Sequence, residues 1–283
     1  MSAIKLHVIK PSVNNMTARV FIRAAKLEFT EDDVYGKTRT DDFLARNPAH
    51  LTPMMEAPGL PKGVMWESCA IMQYLCNKHH LDKFYPTEPE KRAMVDSAMF
   101  YIVGTLYPYI VRSTYGALGF PHYPGEVGAS DAAPAEKEKA RDAAAGAVGE
   151  TLAALHKFFL EGKTFIGGDH VSIADIRLAC SLEFLKVIDY HFPEWAKTYM
   201  AAVAKALGDA YAEPAKDVEG YIAYVKGTKG SGARRVSYSG LDTARRTEAP
   251  NSFRRLEGVW QCARSPSRNI SPRTPTSTVP HTG

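Results

Sequence analysis

The chain has 283 residues, 45% of them hydrophobic and 23% charged, with a formal net charge of +4. That balance belongs to a soluble globular protein long enough for about two domains. It argues against a membrane protein, since no apolar run approaches the roughly twenty residues a spanning helix needs. It also argues against a secreted disulfide scaffold: the first residues lack a signal-peptide apolar stretch, and Cys69, Cys76, Cys180 and Cys262 form no CxxC pair or dense framework.

Residues 5–9 alternate in polarity and predict a strand. Residues 16–27 set Ala18, Val20, Phe21, Ala24, Ala25 and Leu27 at helical spacing. A second strand is expected over 29–34 and a short helix over 41–45, closed by Asn47-Pro48. Short strands follow around Met54-Met55 and Val64-Met65, separated by a Pro/Gly-rich turn, and a helix covers 67–78. This βαβ then ββα order is that of an α/β, thioredoxin-like unit, assigned to residues 1–82.

Beyond Pro86 the pattern turns helical. Residues 90–118 read as one long helix kinked at Pro108, 120–131 as a Gly/Pro loop, and 135–160, 172–188, 193–207 and 215–225 as further helices. An all-α C-terminal bundle is therefore assigned to 90–226. Ser172 and Asp175 have the spacing of a capping box with Asp in place of Glu, a structural role. Residues 229–283 hold ten Lys/Arg against three Asp/Glu, which leaves 25 against 28 in the first 228, so the basic balance belongs to this tail. Its Arg/Ser/Pro/Thr-rich composition predicts disorder. Charge-driven nucleic-acid binding is the least favoured use of it, and no nucleic-acid or membrane partner is expected. His79-His80 has no companion ligands at metal spacing, so no metal is expected either.

Two short segments carry the chemistry. Thr52-Pro53 enters a strand through a proline, which suits a strand start or an edge; a cis bond there would leave the neighbouring backbone open to an extended peptide, like an added strand. Glu67-Ser68 opens an amphipathic helix carrying Ile71, Met72, Tyr74 and Leu75, where first-turn N–H groups attract a carboxylate and Glu67 attracts an ammonium. A ligand with an amine and a carboxylate on one carbon would satisfy both. An ordinary capped helix after an ordinary turn has the same signature.

The ordered set Lys5-Leu6-His7-Val8-Ile9, Ala18-Arg19-Val20-Phe21-Ile22, Asn47-Pro48, Thr52-Pro53 and Trp66-Glu67-Ser68-Cys69-Ala70-Ile71 resembles the N-terminal domain of the cytosolic glutathione transferases, with the phi and theta classes nearest in flavour. Phe165-Ile166-Gly167-Gly168-Asp169-His170-Val171-Ser172-Ile173-Ala174-Asp175 resembles the folding motif of their helical domain. The resemblance implies that Thr52, before Pro53, pairs with the cysteinyl unit of glutathione, and that Glu67 and Ser68 hold its γ-glutamyl end. Arg39 or Lys37 falls in the region that contacts the glycyl carboxylate, although the usual His position is Thr38 and a commonly polar position is Leu51. The serine that activates the thiol in such classes is missing: a phi-type spacing falls on Asn14 and a theta-type spacing on Asn15. An amide donates a hydrogen bond to sulfur but cannot act as a base. Asn14 is ranked first, Ser12 second and Asn15 third, with Thr17 the other nearby hydroxyl.

The resemblance thus implies a cytoplasmic, homodimeric detoxification enzyme. Glutathione is its co-substrate, and a small hydrophobic electrophile is bound near Tyr107, Tyr115 and Phe120. The alternative is a non-catalytic binding or scaffolding domain, as in the gamma subunit of the elongation factor complex. Conjugation, ether cleavage, dehalogenation and isomerisation all use the same thiolate and stay open.

Overall fold

The computed structural model describes residues 4–120 and 132–230. The expected loop beyond Phe120 and the basic tail beyond Gly230 lie outside them. Four short strands, β1 (Ile4–Val8), β2 (Phe29–Asp33), β3 (Met54–Glu56) and β4 (Val64–Trp66), form one sheet in the order β2-β1-β3-β4. β1 runs parallel to β2, with Ile4 opposite Phe29, and antiparallel to β3, with Leu6 opposite Met55; β3 pairs antiparallel with β4. β1, flanked by β2 and β3, is buried except at Lys5. Edge strand β2 carries Glu31, Asp32 and Asp33, charges that discourage pairing with another chain.

Helices α1 (Val13–Ala24), α2 (Asp41–Arg46) and α3 (Ser68–His79) complete the N-terminal α/β domain. α1 begins three residues before its expected start, because the turn after β1 closes at once: the Ser12 N–H donates to Ile9 O at 3.0 Å, and Ser12 O accepts from Met16 N.

The helical domain contains α4 (Pro89–Tyr101), α5 (Tyr107–Leu118), α6 (Pro134–Leu155), α7 (Ile173–Leu182), α8 (Glu194–Leu207) and α9 (Asp209–Gly230). The break expected near Pro108 is a π-turn, Ile102–Leu106, that joins α4 to α5; a widened turn absorbs the hydrogen bond a helix-interior proline cannot make. By length and composition the Pro89–Leu118 run is apolar enough to cross a membrane, contrary to the expectation from sequence, yet Ile102, Leu106, Ile110 and Val111 are wholly buried in the protein core. α6 ends in a second π-turn, His156–Leu160, and α7 continues as a 3-10 turn, Glu183–Ile188. α9 starts six residues before the expected boundary: Pro214 sits inside it, and Tyr211, Ala215, Val218 and Ile222 bury one face across that position.

α7 is buried along its whole length and packs against α1. The Asp175 carboxylate, fully buried, accepts from Ser172 N (2.8 Å), Ser172 Oγ (2.6 Å), Ile166 N (2.7 Å), Gly167 N (3.2 Å) and the Tyr199 hydroxyl (2.7 Å). The capping box therefore fixes the preceding loop and α8 as well as the helix start. A second polar staple joins the domains. Arg19 pairs with Glu31 and, at 2.8 Å, with Asp217 of α9, while Arg23 bridges Glu31 and Glu213.

Candidate active site

The Thr52–Pro53 peptide is cis and leads directly into β3. Met54, the first residue of β3, pairs with Trp66, the last of β4, so Thr52 and Ser68 both lie just beyond the same end of this ladder. No hydrogen bond from another described residue reaches the Thr52 backbone N–H or C=O, which leaves both open to a strand-like ligand. Glu67, rather than Ser68, is the N-cap of α3. Its backbone sits at φ +73, a left-handed region that non-glycine residues avoid and that clusters at functional sites, and its exposed carboxylate has no ion-pair partner among the described residues. Ser68 is the buried first residue of the helix, beside the unbonded N–H groups of that turn. Strand register, cap and open main chain thus converge on one edge.

The first turn of α1 holds the candidates for thiol activation. Ser12 is the N-cap, half-buried, and its hydroxyl makes no capping bond. The Asn14 Oδ1 accepts from Arg177 Nη1 of α7 at 2.6 Å. Asn15 is fully buried and donates through Nδ2 to Thr52 Oγ1 at 3.0 Å, fastening α1 to the loop before the cis bond. Thr17 is committed inside the helix, donating to Val13 O at 2.9 Å. Of the four, Asn14 is tied to the helical domain and Asn15 to the Thr52 loop, which separates two positions that sequence spacing alone leaves equivalent.

Arg39 is exposed and close enough to His50 for its charge to act there: burial first, then the Arg39 guanidinium, holds the His50 imidazole below its usual value. His50 lies two residues before Thr52 at φ +48, and it is absent from the sequence-based candidates. Its place just ahead of Thr52-Pro53 was the available signal. Leu51, between them, is half-exposed and its carbonyl accepts from Asn47 Nδ2.

Two family models match the chain: the glutathione S-transferase N-terminal domain over residues 2–77 and the glutathione S-transferase C-terminal domain over residues 138–208. The chain belongs to the glutathione transferase family. Among solved structures it is similar to a Bombyx mori glutathione transferase determined as a complex, at 27% identity over 80% of this chain and 98% of that one, with a TM-score of 0.61. It shares its fold with a delta-class glutathione transferase of Nilaparvata lugens (24% identity, 78% and 99% covered, TM-score 0.62). The fold is also that of human glutathione-S-transferase T1-1 in its apo form (22% identity, 82% and 100% covered, TM-score 0.63).

The three aromatic candidates for the second substrate are neighbours. Tyr115 and Phe120 meet edge-on with centroids 5.2 Å apart, and both contact the Phe184 ring. Tyr221 of α9 stacks on Phe120 and donates to Leu118 O. Phe184 and Tyr221 come from elements too distant in sequence to be associated with the others by spacing. The Tyr107 hydroxyl is buried beside Asn14, Arg177 and Tyr115; burial pushes it up and the Arg177 charge opposes that rise. A separate cleft of about 360 Å³, lined by Arg23, Lys26, Lys83, Phe165 and His170 among others, contains none of these site residues.

Proposed function

We propose that the protein is a glutathione transferase that binds glutathione along Thr52 and Glu67-Ser68 and presents its thiolate to a hydrophobic electrophile. The observation that carries the reading is the open backbone of Thr52 before a cis proline, together with Glu67 at the N-terminus of α3, strained at φ +73 and without an ion-pair partner among the described residues. The tripeptide would pair with Thr52 through its cysteinyl main chain. Its α-ammonium would meet Glu67, its γ-glutamyl carboxylate the Ser68 turn, and its glycyl carboxylate Arg39 and His50. Residues 1–82 form the glutathione-binding domain and 90–226 the helical domain that supplies the second pocket.

A free thiol titrates near 8.5, so a donor or a positive field is needed to keep sulfur ionised at neutral pH. Asn14 serves as the donor in this reading, with the α1 N-terminus adding favourable partial charge. An amide accepts no proton, so the thiol proton leaves to solvent. The sulfur lone pair then attacks an electrophilic carbon, forming a C–S bond as the leaving group departs with its electron pair. Tyr107, Tyr115 and Phe120 shape the apolar side. The working form is a cytoplasmic homodimer.

Retention on immobilised glutathione, followed by conjugation of an aryl halide, tests both halves. Failure to bind at millimolar glutathione sinks the proposal. Binding without turnover would favour the non-catalytic binding module, a reading supported by the absence of a hydroxyl at Asn14 and Asn15.

A further inference from the structure

Between Ile173 and Leu182, α7 presents two buried charges. Asp175 is met by five donors, but Arg177 has no such complement. It is 2% exposed, and no carboxylate lies within ion-pair distance of it among the described residues. Its Nη1 donates to Asn14 Oδ1 at 2.6 Å and to Thr17 Oγ1 at 3.5 Å, and the Tyr107 hydroxyl lies beside the guanidinium. The guanidinium carbon stands 4.3 Å from the Tyr107 ring centroid, and Nε is buried with no hydrogen-bond partner. A cation in that position is costly unless an anion joins it.

The surroundings sharpen the need. Asn14 is in the first turn of α1, and Cys69, whose thiol feels the Arg177 charge, is in the first turn of α3. Both helix starts carry positive partial charge. Arg177 therefore sits against Asn14 and near enough to Cys69 for its charge to act there, among the positive ends of two helices. The titratable groups packed around it do not supply the anion. Burial pushes the Cys69 thiol, the Cys180 thiol and the Tyr107 hydroxyl up, so each stays neutral at neutral pH; Glu67 is exposed to solvent, and the buried Glu183 carboxylate, whose charge reaches Cys180, is held by Lys186 and the Tyr211 hydroxyl.

We propose that Arg177 is a positioning residue for the glutathione thiolate: it grips Asn14 Oδ1, commits the Asn14 Nδ2 hydrogens to donation, and provides the positive charge that the sulfur anion completes. The inference rests on the glutathione reading above and explains how an asparagine replaces the expected serine. Neither partner takes the proton, which goes to solvent as the ligand binds.

The test compares the wild type with Arg177→Met and Arg177→Lys in the full chain, following thiolate absorbance of bound glutathione against pH and binding of S-methylglutathione, which has no ionisable sulfur. The expected result is a bound thiol at least one unit below the free value in the wild type and a rise of about one unit in Arg177→Met, a roughly three- to eightfold loss of thiolate at neutral pH. S-methylglutathione should bind the two proteins equally. Arg177→Lys keeps the charge without the planar fork and should rise by about half a unit; it decides the matter if Arg177→Met does not fold. A wild-type bound thiol that titrates like free glutathione, or variants whose bound thiol matches the wild type, would overturn the assignment while leaving glutathione binding intact. Equal weakening of both ligands would make Arg177 merely structural. A wild type that binds neither ligand removes the glutathione reading and this inference together.

Discussion

Replacing Asp175 tests the physical basis of the helical domain. Its Oδ1 accepts from Ile166 N and the Tyr199 hydroxyl, and its Oδ2 from Ser172 N, Ser172 Oγ and Gly167 N. Asp175→Ala strands three backbone N–H donors, two of them in fully buried bonds, at about 1–3 kcal/mol each. Loss of the capping box adds about 1 kcal/mol, so a total near 5 kcal/mol is expected after allowance for relaxation. That is a large part of the 5–15 kcal/mol typical of a native protein. Asp175→Asn is more discriminating. Placing its NH2 at the Oδ2 position would oppose two backbone N–H groups, so the amide should turn its NH2 toward Ile166 N, where the Tyr199 hydroxyl can rotate to accept. One donor–donor conflict remains, worth about 2 kcal/mol. Urea unfolding followed by circular dichroism should rank wild type above Asn above Ala, with the exposed neighbour Asp169→Ala within about 0.5 kcal/mol of wild type. An Asn variant as stable as the wild type would refute the view that these five bonds hold the motif.

Burial raises the Glu31 carboxyl, but hydrogen bonds and charge from Arg19 and Arg23 outweigh it and hold the group below its ordinary value of 4.5. Its contribution is therefore present above that value and lost as pH falls through the depressed one. The stability gap between wild type and Glu31→Gln, about 2 kcal/mol at pH 7 for a charged hydrogen bond, should shrink toward pH 3; a gap independent of pH would contradict the network. Burial pushes Cys76 up to about 12 and also raises Cys69 and Cys180. Iodoacetamide at pH 8 should leave these three unlabelled in the native protein and label all three in urea, as read by peptide mass mapping. Glu67→Gly removes the side-chain penalty at φ +73 and should leave melting unchanged or slightly higher, while glutathione retention falls at least tenfold; retained binding would show that the Glu67 carboxylate is not the ammonium partner.

Much of the fold is legible because it rests on local signals. β1, α3 and the Ser172 box are written in alternation, helical spacing and capping chemistry, and the structure places each within a few residues of its expected bounds. The departures come from tertiary contacts. α1 starts early because Ser12 turns back onto Ile9, and α9 runs through Pro214 because buried residues on both sides repay one missing bond. Neither effect has a sequence signature shorter than the contact that produces it.

The candidate site divides along the same line. The cis bond at Thr52-Pro53 and the cap at Glu67-Ser68 have sequence signatures because proline and cap residues announce main-chain geometry. The surroundings of the proposed thiol-activating residues have none: the ranking of Asn14 above Asn15 had no tertiary basis, and the partners that distinguish them, Arg177 and Thr52, lie 163 and 37 residues away. One clue was present: an arginine inside the otherwise apolar Ile173–Leu182 segment, two residues past the capping Asp175. A buried charge in such a helix demands a counter-charge. Here the described residues do not contain one, which turns an oddity of composition into an argument about what the site is built to hold.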